Sequence, residues 1–419
     1  MTDSERIRFK FTSDYPLKYG ANAAAEFDNP DWPRFVRITD VTANGNLRED
    51  TFRSLPPAVA SGYELEEGDI LLARSGATVG KTFIYEPSWG EACYAGYLIR
   101  SRTSAAYWPK FVYWYCQSAE YWAEIQSNLI QATIQNFNAE KYANIKMPSP
   151  PLETQKRIAA FLDEKTAQID GLIEKKRALL DRLAEKRQAI ITQAVTKGLN
   201  PSALMKDSGI NRLGDIPAHW EVKRLKFVTE RPLKYGANAP ADWDEPSWPR
   251  FVRITDVAPS GALRPETFRS LPPEIGSSYA LADGDILLAR SGATVGKSFL
   301  YRPEWGNACF AGYLIQARIS TDHDAEFMYQ YLNSDSFWSW VSANFIQSTI
   351  QNISAEKYAG IWMPCPPLDE QVQIVEQIAN VARQVSVQVD WVRCSLEKLT
   401  EYRSALITAA VTGQIEGLR

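Results

Sequence analysis

Arg74, Ser75, Thr78 and Lys81 place two cations and two hydroxyls around the glycines of the segment GATVGKT. The segment resembles a phosphate-binding P-loop, but only three residues separate its glycines, where that loop requires four. The spacing therefore disfavours a nucleotide site. A glycine-hinged loop that leaves a buried strand and carries these side chains suits contacts with DNA phosphates and base edges. The alternative is a tight turn whose glycines satisfy positive φ angles.

A second candidate is the segment RITD, which contributes Arg37, Thr39 and Asp40 at the end of a predicted strand. Arg37 suits a guanine or a phosphate, and Asp40 suits an amino donor on cytosine or the task of orienting an arginine. A local salt bridge between Arg37 and Asp40 is the alternative.

Amide and hydroxyl side chains form a third candidate in the segment IQATIQNFNAEKYA: Gln131, Thr133, Gln135 and Asn136. Amide side chains read adenine through its N7 acceptor and its amino donor. The alternative is helix capping, in which Asn136 or Asn138 begins a helix near Ala139. Lys18 and Tyr19, in the word KYGAN, suit phosphate and sugar contacts or an ordinary surface turn.

Every one of these candidates occurs twice. The segments Arg8–Leu199 and Arg224–Ile415 align without a gap, and a repeat of this length is a duplicated domain rather than a solenoid. Two copies of one module suit a pseudo-two-fold arrangement, which matches duplex DNA with inverted half-sites. The second set of candidates is Lys234, Tyr235, Arg253, Thr255, Asp256, Arg290, Ser291, Thr294, Lys297, Gln347, Thr349, Gln351 and Asn352.

Composition sets limits on these interpretations. The formal net charge of −4 counts against DNA binding unless the cations gather on one face or a partner supplies phosphate contacts. The five cysteines form no CxxC pair, which indicates reduced thiols in a cytoplasmic protein, and the two histidines have no neighbours at metal-ligand spacing. No apolar run is long enough for a membrane span, and the start MTDSERIRFK does not read as a signal peptide. We expect no bound metal and no cofactor in this chain.

Hydrophobic patterning divides each repeat into a globule and a long helix. The globules, at residues 1–151 and 223–367, combine short β-like runs with helical stretches, one of them near Pro109–Ile130, and read as mixed α and β domains of the α+β class. Long helices are predicted at 152–199 and 368–413, with a linker at 200–222. Each helix would be roughly 65–70 Å long.

Both long helices carry heptad seams typical of a coiled coil. The segment 152–197 has ten basic and seven acidic residues, whereas 368–412 has four and six, so opposite net charge favours an antiparallel pair of the two helices. The alternative is two solvated helices that never meet. The first predicted seam is Ile158, Leu162, Lys165, Ile169, Leu172, Lys176, Leu179, Leu183, Lys186 and Ile190; the second is Ile374, Ile378, Val381, Val385, Gln388, Val392, Ser395, Leu399, Tyr402 and Leu406.

Catalytic motifs are missing from the sequence. It contains no Asn- or Asp-Pro-Pro-aromatic tetrad for methyl transfer to a base, no glycine-rich methyl-donor loop and no nuclease carboxylate cluster. We therefore expect a protein that reads a target without chemistry of its own, and not an enzyme.

Two globules with RITDV, GDILLARSGATVGK and TIQN…AEKYA, each followed by a proline-rich end and a long helix, resemble the type I restriction-modification specificity subunit. The segment 206–227 also resembles that family's lead-in to a recognition domain, which the first globule lacks. The resemblance implies two target recognition domains on a bipartite DNA site, two helices that act as a spacer, two modification subunits that carry S-adenosylmethionine, and restriction subunits that consume ATP. It thus implies adenine methylation by partners. The rivals are a standalone DNA-binding regulator, a P-loop enzyme and a scaffold without DNA contact.

The candidate reading residues are nearly identical in the two copies. The same side chains on the same scaffold should read the same bases, so we expect a nearly palindromic site. The half-site bases and the spacer length do not follow from the sequence.

Overall fold

A computed structural model of the chain describes residues 6–42, 45–129, 136–258, 261–345 and 352–418. The chain forms two compact units. Unit 1 comprises residues 1–177 and 393–419, and unit 2 comprises residues 178–392. Each unit thus contains one globule and a part of both long helices, and the mixed α and β class predicted from the sequence is confirmed.

Unit 1 contains short strands and helices before the first long helix. Its strands are β1 Arg6–Arg8, β2 Lys18–Tyr19, β3 Arg34–Val36, β4 Ile70–Ala73, β5 Thr82–Ile84, β6 Ala92–Tyr94, β7 Leu98–Ser101 and β8 Lys146–Pro148. Its helices are α1 Pro57–Ala60, α2 Pro109–Tyr115, α3 Ala119–Leu129 and α4 Ala139–Asn144, and the first long helix is α5 Leu152–Lys197.

Unit 2 repeats this order after an additional pair of strands. Its strands are β9 Met205–Asp207, β10 Asp215–Pro217, β11 Glu221–Arg224, β12 Lys234–Tyr235, β13 Arg250–Val252, β14 Asp285–Ala289, β15 Ser298–Leu300, β16 Ala308–Phe310, β17 Leu314–Arg318 and β18 Trp362–Cys365. Its helices are α6 Pro273–Gly276, α7 Ala325–Tyr331, α8 Asp335–Phe345 and α9 Ala355–Ala359, and the second long helix is α10 Leu368–Val411.

The strands pair in the same way in both units. In unit 1 an antiparallel sheet has the order β2-β7-β4-β5, β3 pairs with β6 in parallel, and β1 pairs with β8 antiparallel. In unit 2 the corresponding orders are β12-β17-β14-β15, β13 with β16, and β11 with β18. The sequence repeat is therefore a repeat of topology, strand by strand.

The central strand β4 is buried on both faces. Ile70 and Leu72 point into a core formed with α2, α3 and the start of α5, whereas Leu71 and Ala73 point into a second core on the opposite face. Alternation of successive side chains across a strand explains the division. The continuous apolar run of β4 is followed by a loop that contains glycine. This loop therefore begins at the end of a rigid, buried strand, which holds the side chains of the loop in position.

The predicted helix near Pro109–Ile130 is interrupted. Helix α2 begins with Pro109 at its first position, which suits a residue without an N–H, and it ends before Cys116. Helix α3 begins at Ala119, and the intervening Ser118 accepts the amide of Tyr121 through its hydroxyl. The serine competes for backbone hydrogen bonds and so separates the two helices.

The burial pattern of α5 corrects part of the predicted seam. Ile158, Leu162, Ile169 and Leu183 are buried as predicted, but Leu172 is 48% exposed and Leu179 is 42% exposed. Three side chains of α5 that the predicted seam did not include are buried, namely Ala159, Thr166 and Ile173. The neighbouring pairs Leu172-Ile173 and Leu179-Leu180 fit either register, so the sequence did not distinguish which of each pair is buried.

The seam of α10 agrees better with the prediction. Ile374, Ile378, Val385 and Val392 are all buried. Tyr402 is 57% exposed, contrary to the prediction, and Gln388 is exposed as well.

Each unit contains contacts that hold its share of the long helices. In unit 1, Arg403 of α10 donates through Nε to Asp170 of α5 at 2.8 Å. In unit 2, Ile191 and Val195 of α5 share a hydrophobic core with Ile374 of α10. The alternative of solvated helices that never meet therefore does not hold within either unit.

The segment predicted as a linker is folded into unit 2. Strands β9 and β10 pair antiparallel within it. Ile216 and Trp220 are completely buried and belong to the same core as Phe327. The segment thus contributes buried side chains to the hydrophobic core of unit 2.

Candidate DNA interface

Arg74 of unit 1 contacts residues from separate parts of the sequence. Its guanidinium lies over the Tyr19 ring, 4.7 Å from the ring centroid, and its Nη1 donates to the Gly96 carbonyl at 3.4 Å. The Tyr19 hydroxyl in turn accepts the Ala139 amide at 3.0 Å. Residues from the words KYGAN, GDILLARSGATVGK and AEKYA, which are far apart in the sequence, therefore meet at one arginine.

Unit 2 has the same arrangement. The guanidinium of Arg290 lies 4.7 Å from the Tyr235 ring centroid, and the Tyr235 hydroxyl accepts the Ala355 amide at 2.9 Å. Ser291 pairs with Asn352 through an isolated β-bridge, as Ser75 pairs with Asn136. These residues line a cleft together with Asn238 and Tyr313.

Gly20 allows the loops to approach each other. A Cβ atom at Gly20 would lie 2.3 Å from the Ala95 carbonyl oxygen, so no other residue fits without a backbone shift. The Gly20 amide donates to the Leu98 carbonyl at 3.1 Å, and the Gly96 amide donates to the Ala21 carbonyl at 2.8 Å. The close approach brings Tyr19 beside the turn that carries Tyr97, and Gly236 does the same in unit 2.

The loop Gly76–Lys81 is a turn stabilised by its own backbone. A 3-10 helix spans Gly76–Thr78. The Val79 amide donates to the Gly76 carbonyl, and the Lys81 amide donates to the Thr78 carbonyl. The Thr78 hydroxyl donates to the Ser75 carbonyl. These groups are therefore engaged within the loop and do not form a phosphate cradle, which supports the sequence argument against a P-loop. The Thr78 and Thr294 hydroxyls each donate to a carbonyl of their own loop and keep acceptor lone pairs, so their contact with DNA stays a prediction. Lys81 and Lys297 are exposed at the end of the turn.

A buried tyrosine fixes the base of this loop. The Tyr142 hydroxyl donates to the Ala73 carbonyl at 2.6 Å and accepts the Gly80 amide at 3.1 Å. Tyr358 makes the equivalent contacts with Ala289 and Gly296. Burial raises the pKa of both tyrosines, so each hydroxyl remains a donor over the physiological pH range. This role explains the recurrence of the word AEKYA.

Asp40 does not face a ligand. Its carboxylate is 1% exposed and accepts Nε of Arg37 at 2.9 Å and Nη2 at 2.7 Å. Of the roles predicted for Asp40, the structure supports the orientation of Arg37 through a local salt bridge, and direct contact with cytosine is wrong for this geometry. The same correction applies to Asp256, which is 1% exposed and binds Arg253 in the same way. Thr39 and Thr255 are exposed beside these pairs.

Lys18 is engaged within unit 1. Its Nζ donates to the Gly62 carbonyl and lies over the Tyr63 ring, 5.1 Å from the centroid. Lys234 makes the corresponding contacts with Ser278 and Tyr279. The structure thus supports a turn-stabilising role for both lysines, and both ammonium groups are already bonded to the fold.

The amide candidates divide into two groups. Gln131, Thr133, Gln135, Gln347, Thr349 and Gln351 lie outside the described residues. Asn136 and Asn352 are described and exposed. The helix cap is Asn138, whose side chain accepts the Lys141 amide at 2.9 Å, and Ser354 has this role in unit 2. Asn136 is therefore not the capping residue and remains a candidate for contact.

Two exposed tyrosines, Tyr97 and Tyr313, are not among the site residues predicted from the sequence. Tyr97 is 66% exposed and Tyr313 is 68% exposed, although their neighbours Leu98 and Leu314 are completely buried. The Tyr97 carbonyl accepts the Arg74 amide at 3.1 Å, which places the turn directly against the arginine. The recurrence of the word AGYLI at 95–99 and 311–315 was the signal that could have identified them.

Among the residues that the structure describes, no group of three or more His, Cys, Asp or Glu side chains is placed to hold a metal ion. None of the helices within the same ranges has the length and apolar character needed to cross a membrane.

Comparison with known proteins gives consistent matches. A family model described as the type I restriction modification DNA specificity domain matches residues 35–182 and 263–388, which is more than half of the chain. The chain is 24% identical over 412 residues to the type I restriction enzyme EcoBI specificity subunit of Escherichia coli, covering 94% of this chain and 82% of that protein.

Solved structures show the same fold. One similar chain comes from a structure that describes the complex assembly and conformational transition of the type I R-M system; the TM-score is 0.76, the identity is 16%, and 98% of both chains is covered. Another is the HsdS subunit from Thermoanaerobacter tengcongensis, with a TM-score of 0.58, 16% identity, and coverage of 99% of this chain and 98% of that one.

Proposed function

Because the chain belongs to the type I restriction-modification DNA specificity family, we propose that it is the subunit that selects a bipartite DNA site for adenine methylation. Each globule binds one half-site. Methyl transfer is carried out by modification subunits that bind the chain, and the chain itself has no catalytic role.

The repetition of one arginine–tyrosine arrangement in both units carries the proposal. Arg74 on Tyr19 and Arg290 on Tyr235 have the same ring distance of 4.7 Å. Each arginine adjoins a serine that is bridged to an exposed asparagine. Each base pair presents its own set of donors and acceptors in the major groove. The same side chains on the same backbone should therefore bind the same bases. The proposed site is therefore close to an inverted repeat.

Partners account for what the chain lacks. Two modification subunits bring S-adenosylmethionine, and restriction subunits, where they join the complex, bring ATP hydrolysis; this chain binds neither cofactor. Contacts from the partners to DNA phosphates offset the net charge of −4, because phosphate contacts provide much of the affinity of DNA-binding proteins. The long helices α5 and α10 set the distance between the half-sites.

Sequencing of methylated adenines tests the proposal. The chain is expressed with its modification subunits in a host without other adenine methyltransferases, and the methylated motif is read from the genome. We expect a bipartite motif whose halves are inverted complements at most positions. Two unrelated half-sites would contradict the symmetric part of the proposal, and an absence of methylation that depends on this chain would contradict the function itself.

The standalone DNA-binding regulator makes a different prediction. It binds its site tightly without any modification subunit and directs no methylation. A mobility shift with the purified chain, with and without the modification subunits, separates the two functions, since the specificity subunit directs methylation only with its partners.

A further inference from the structure

Each unit places an arginine that is stacked on one tyrosine next to the turn that carries a second, exposed tyrosine. Arg290, Tyr313 and Asn352 line the cleft of unit 2 together with Tyr235. On the basis of the proposed function, we propose that Arg290 with Tyr313, and Arg74 with Tyr97, are the specificity-determining residues for one guanine in each half-site. The guanidinium binds the O6 and N7 edge of the base, and the tyrosine ring packs against the same nucleotide.

The arginine is positioned before any ligand binds. Its guanidinium is stacked on Tyr235, which is itself fixed by the Ala355 amide. The Nε atoms of Arg74 and Arg290 are buried and have no hydrogen-bond partner among the described residues. Stacking and burial of Nε limit the orientations of the side chain. Each Nη nitrogen carries two N–H groups, so the single 3.4 Å bond from Nη1 of Arg74 to Gly96 leaves donors at the outer end of the guanidinium for a ligand. Binding then loses little side-chain entropy, which favours selective recognition.

The tyrosine has no structural task in the fold that the described residues reveal. Tyr313 is 68% exposed, and no ring stacking or side-chain hydrogen bond joins it to any described residue. The backbone at this position is nevertheless held firmly, because the Tyr313 carbonyl accepts the Arg290 amide at 3.1 Å. A large apolar ring on a fixed turn beside an arginine is well placed to pack against a ligand.

The pair suits a base better than a phosphate. A phosphate presents oxygens in all directions and offers no apolar face to a tyrosine ring. A nucleobase offers both a face, for the ring, and a polar edge, for the guanidinium. Guanine is the base whose adjacent O6 and N7 acceptors match the two donors of an arginine fork.

Base preference measured with the complete complex tests the assignment. The chain is assembled with its modification subunits, and bound duplexes are selected from a library randomised over the site and sequenced. We expect Y97A to relax one position in one half-site and Y313A to relax the symmetry-related position in the other. Each variant should reduce discrimination at that position by roughly 5- to 100-fold. Unchanged discrimination in both variants would overturn the role of the tyrosines.

Three control variants keep the result interpretable. Y97F and Y313F retain the ring and should retain most of the discrimination. Y15A removes a tyrosine that is 63% exposed in unit 1 but is not part of the cleft, and it should leave base preference unchanged. Equal thermal unfolding of all the variants shows that a loss of discrimination does not arise from unfolding.

Arginine variants distinguish base contact from phosphate contact. R74K and R290K keep the charge but lose the planar fork and its stacking on tyrosine, so they should weaken the preference for guanine while the salt dependence of binding is unchanged. If R74A and R290A instead weaken all sequences equally and reduce the salt slope by about one, the arginines bind phosphates and the assignment is wrong. If the wild-type complex selects no sequence, the proposed function itself fails, which is a separate outcome.

Discussion

The Asp40 carboxylate binds Arg37 with two parallel hydrogen bonds, from Nε at 2.9 Å and from Nη2 at 2.7 Å. Asp40 also accepts the Arg37 amide at 2.8 Å, so a single buried carboxylate closes the turn that follows β3. Arginine–carboxylate pairs of this geometry are among the strongest side-chain hydrogen bonds.

Replacement of Asp40 should therefore destabilise the protein. Asp40→Asn removes the charge and one acceptor, and we expect it to lower the free energy of unfolding by about 1–3 kcal/mol. Asp256→Asn should have the same effect in unit 2. Asp50→Asn is the control, because Asp50 is exposed. Denaturation in guanidinium chloride, followed by circular dichroism, measures the change; equal stability of D40N and D50N would contradict the role of the pair.

Two glycines of the same loop should differ in their tolerance of alanine. Both have positive φ angles, +86° at Gly80 and +68° at Gly76. A Cβ at Gly80 would lie 2.8 Å from the Trp122 ring, whereas a Cβ at Gly76 meets nothing within 4 Å. We expect Gly76→Ala to cost about 1–2 kcal/mol for the backbone and Gly80→Ala about 2–5 kcal/mol, since it adds a steric clash. Thermal unfolding of the two variants provides the comparison, and equal losses would show that sterics contribute nothing.

The corrected register of α5 predicts opposite results for two leucines of one helix. Leu162 is completely buried, and Leu172 is 48% exposed. Leu162→Ala should lower the free energy of unfolding by about 2–5 kcal/mol because it leaves a cavity. Leu172→Ala should change it by less than about 0.5 kcal/mol in the isolated chain. A large loss for Leu172→Ala would restore the seam predicted from the sequence.

Thiol reactivity should be restricted to one cysteine of the native chain. Burial raises the pKa of Cys93 and of Cys309 to about 12, and both side chains are fully buried, whereas Cys394 is exposed. We expect a maleimide to modify Cys394 in the native chain and all five cysteines after unfolding, as read by mass spectrometry.

The same thiols give a direction to the pH dependence of stability. Their folded pKa lies above the unfolded value of about 8.5, so their contribution is complete below that pH and is lost as the pH rises toward about 12. The unfolding midpoint should fall with pH above about 9, and less so in C93A/C309A. An equal fall in that variant would assign the effect to other groups.

A matched change in both long helices tests the proposed spacer. Removal of seven residues from α5, within 172–186, and of seven residues from α10 shortens each helix by about 10 Å. The preferred distance between half-sites should then fall by roughly three base pairs at 3.4 Å each. Methylation of libraries with varied spacers measures the preference, and an unchanged spacer would exclude a measuring role for the helices.

The sequence by itself determined the elements that depend on local pattern and on repetition. The gap-free repeat predicted two copies of one topology. Long stretches with no proline and a single glycine, Gly171, predicted the long helices that the structure has at Leu152–Lys197 and Leu368–Val411. The glycine spacing of GATVGKT was sufficient to disfavour a P-loop, because that loop depends on the number of residues between its glycines.

Only the tertiary structure decided which of the candidate side chains are available to bind a ligand. Arg37 and Arg74 look equivalent in the sequence, yet Arg37 is bound by a buried carboxylate, whereas the Arg74 guanidinium lies over the Tyr19 ring and has no carboxylate partner among the described residues. Tyr97 and Tyr142 likewise differ in burial, which no local pattern encodes. Burial and hydrogen bonding depend on neighbours that are distant in the sequence. The sequence therefore limits the candidates for DNA contact, and the fold distinguishes the side chains that support the cleft from those that face it.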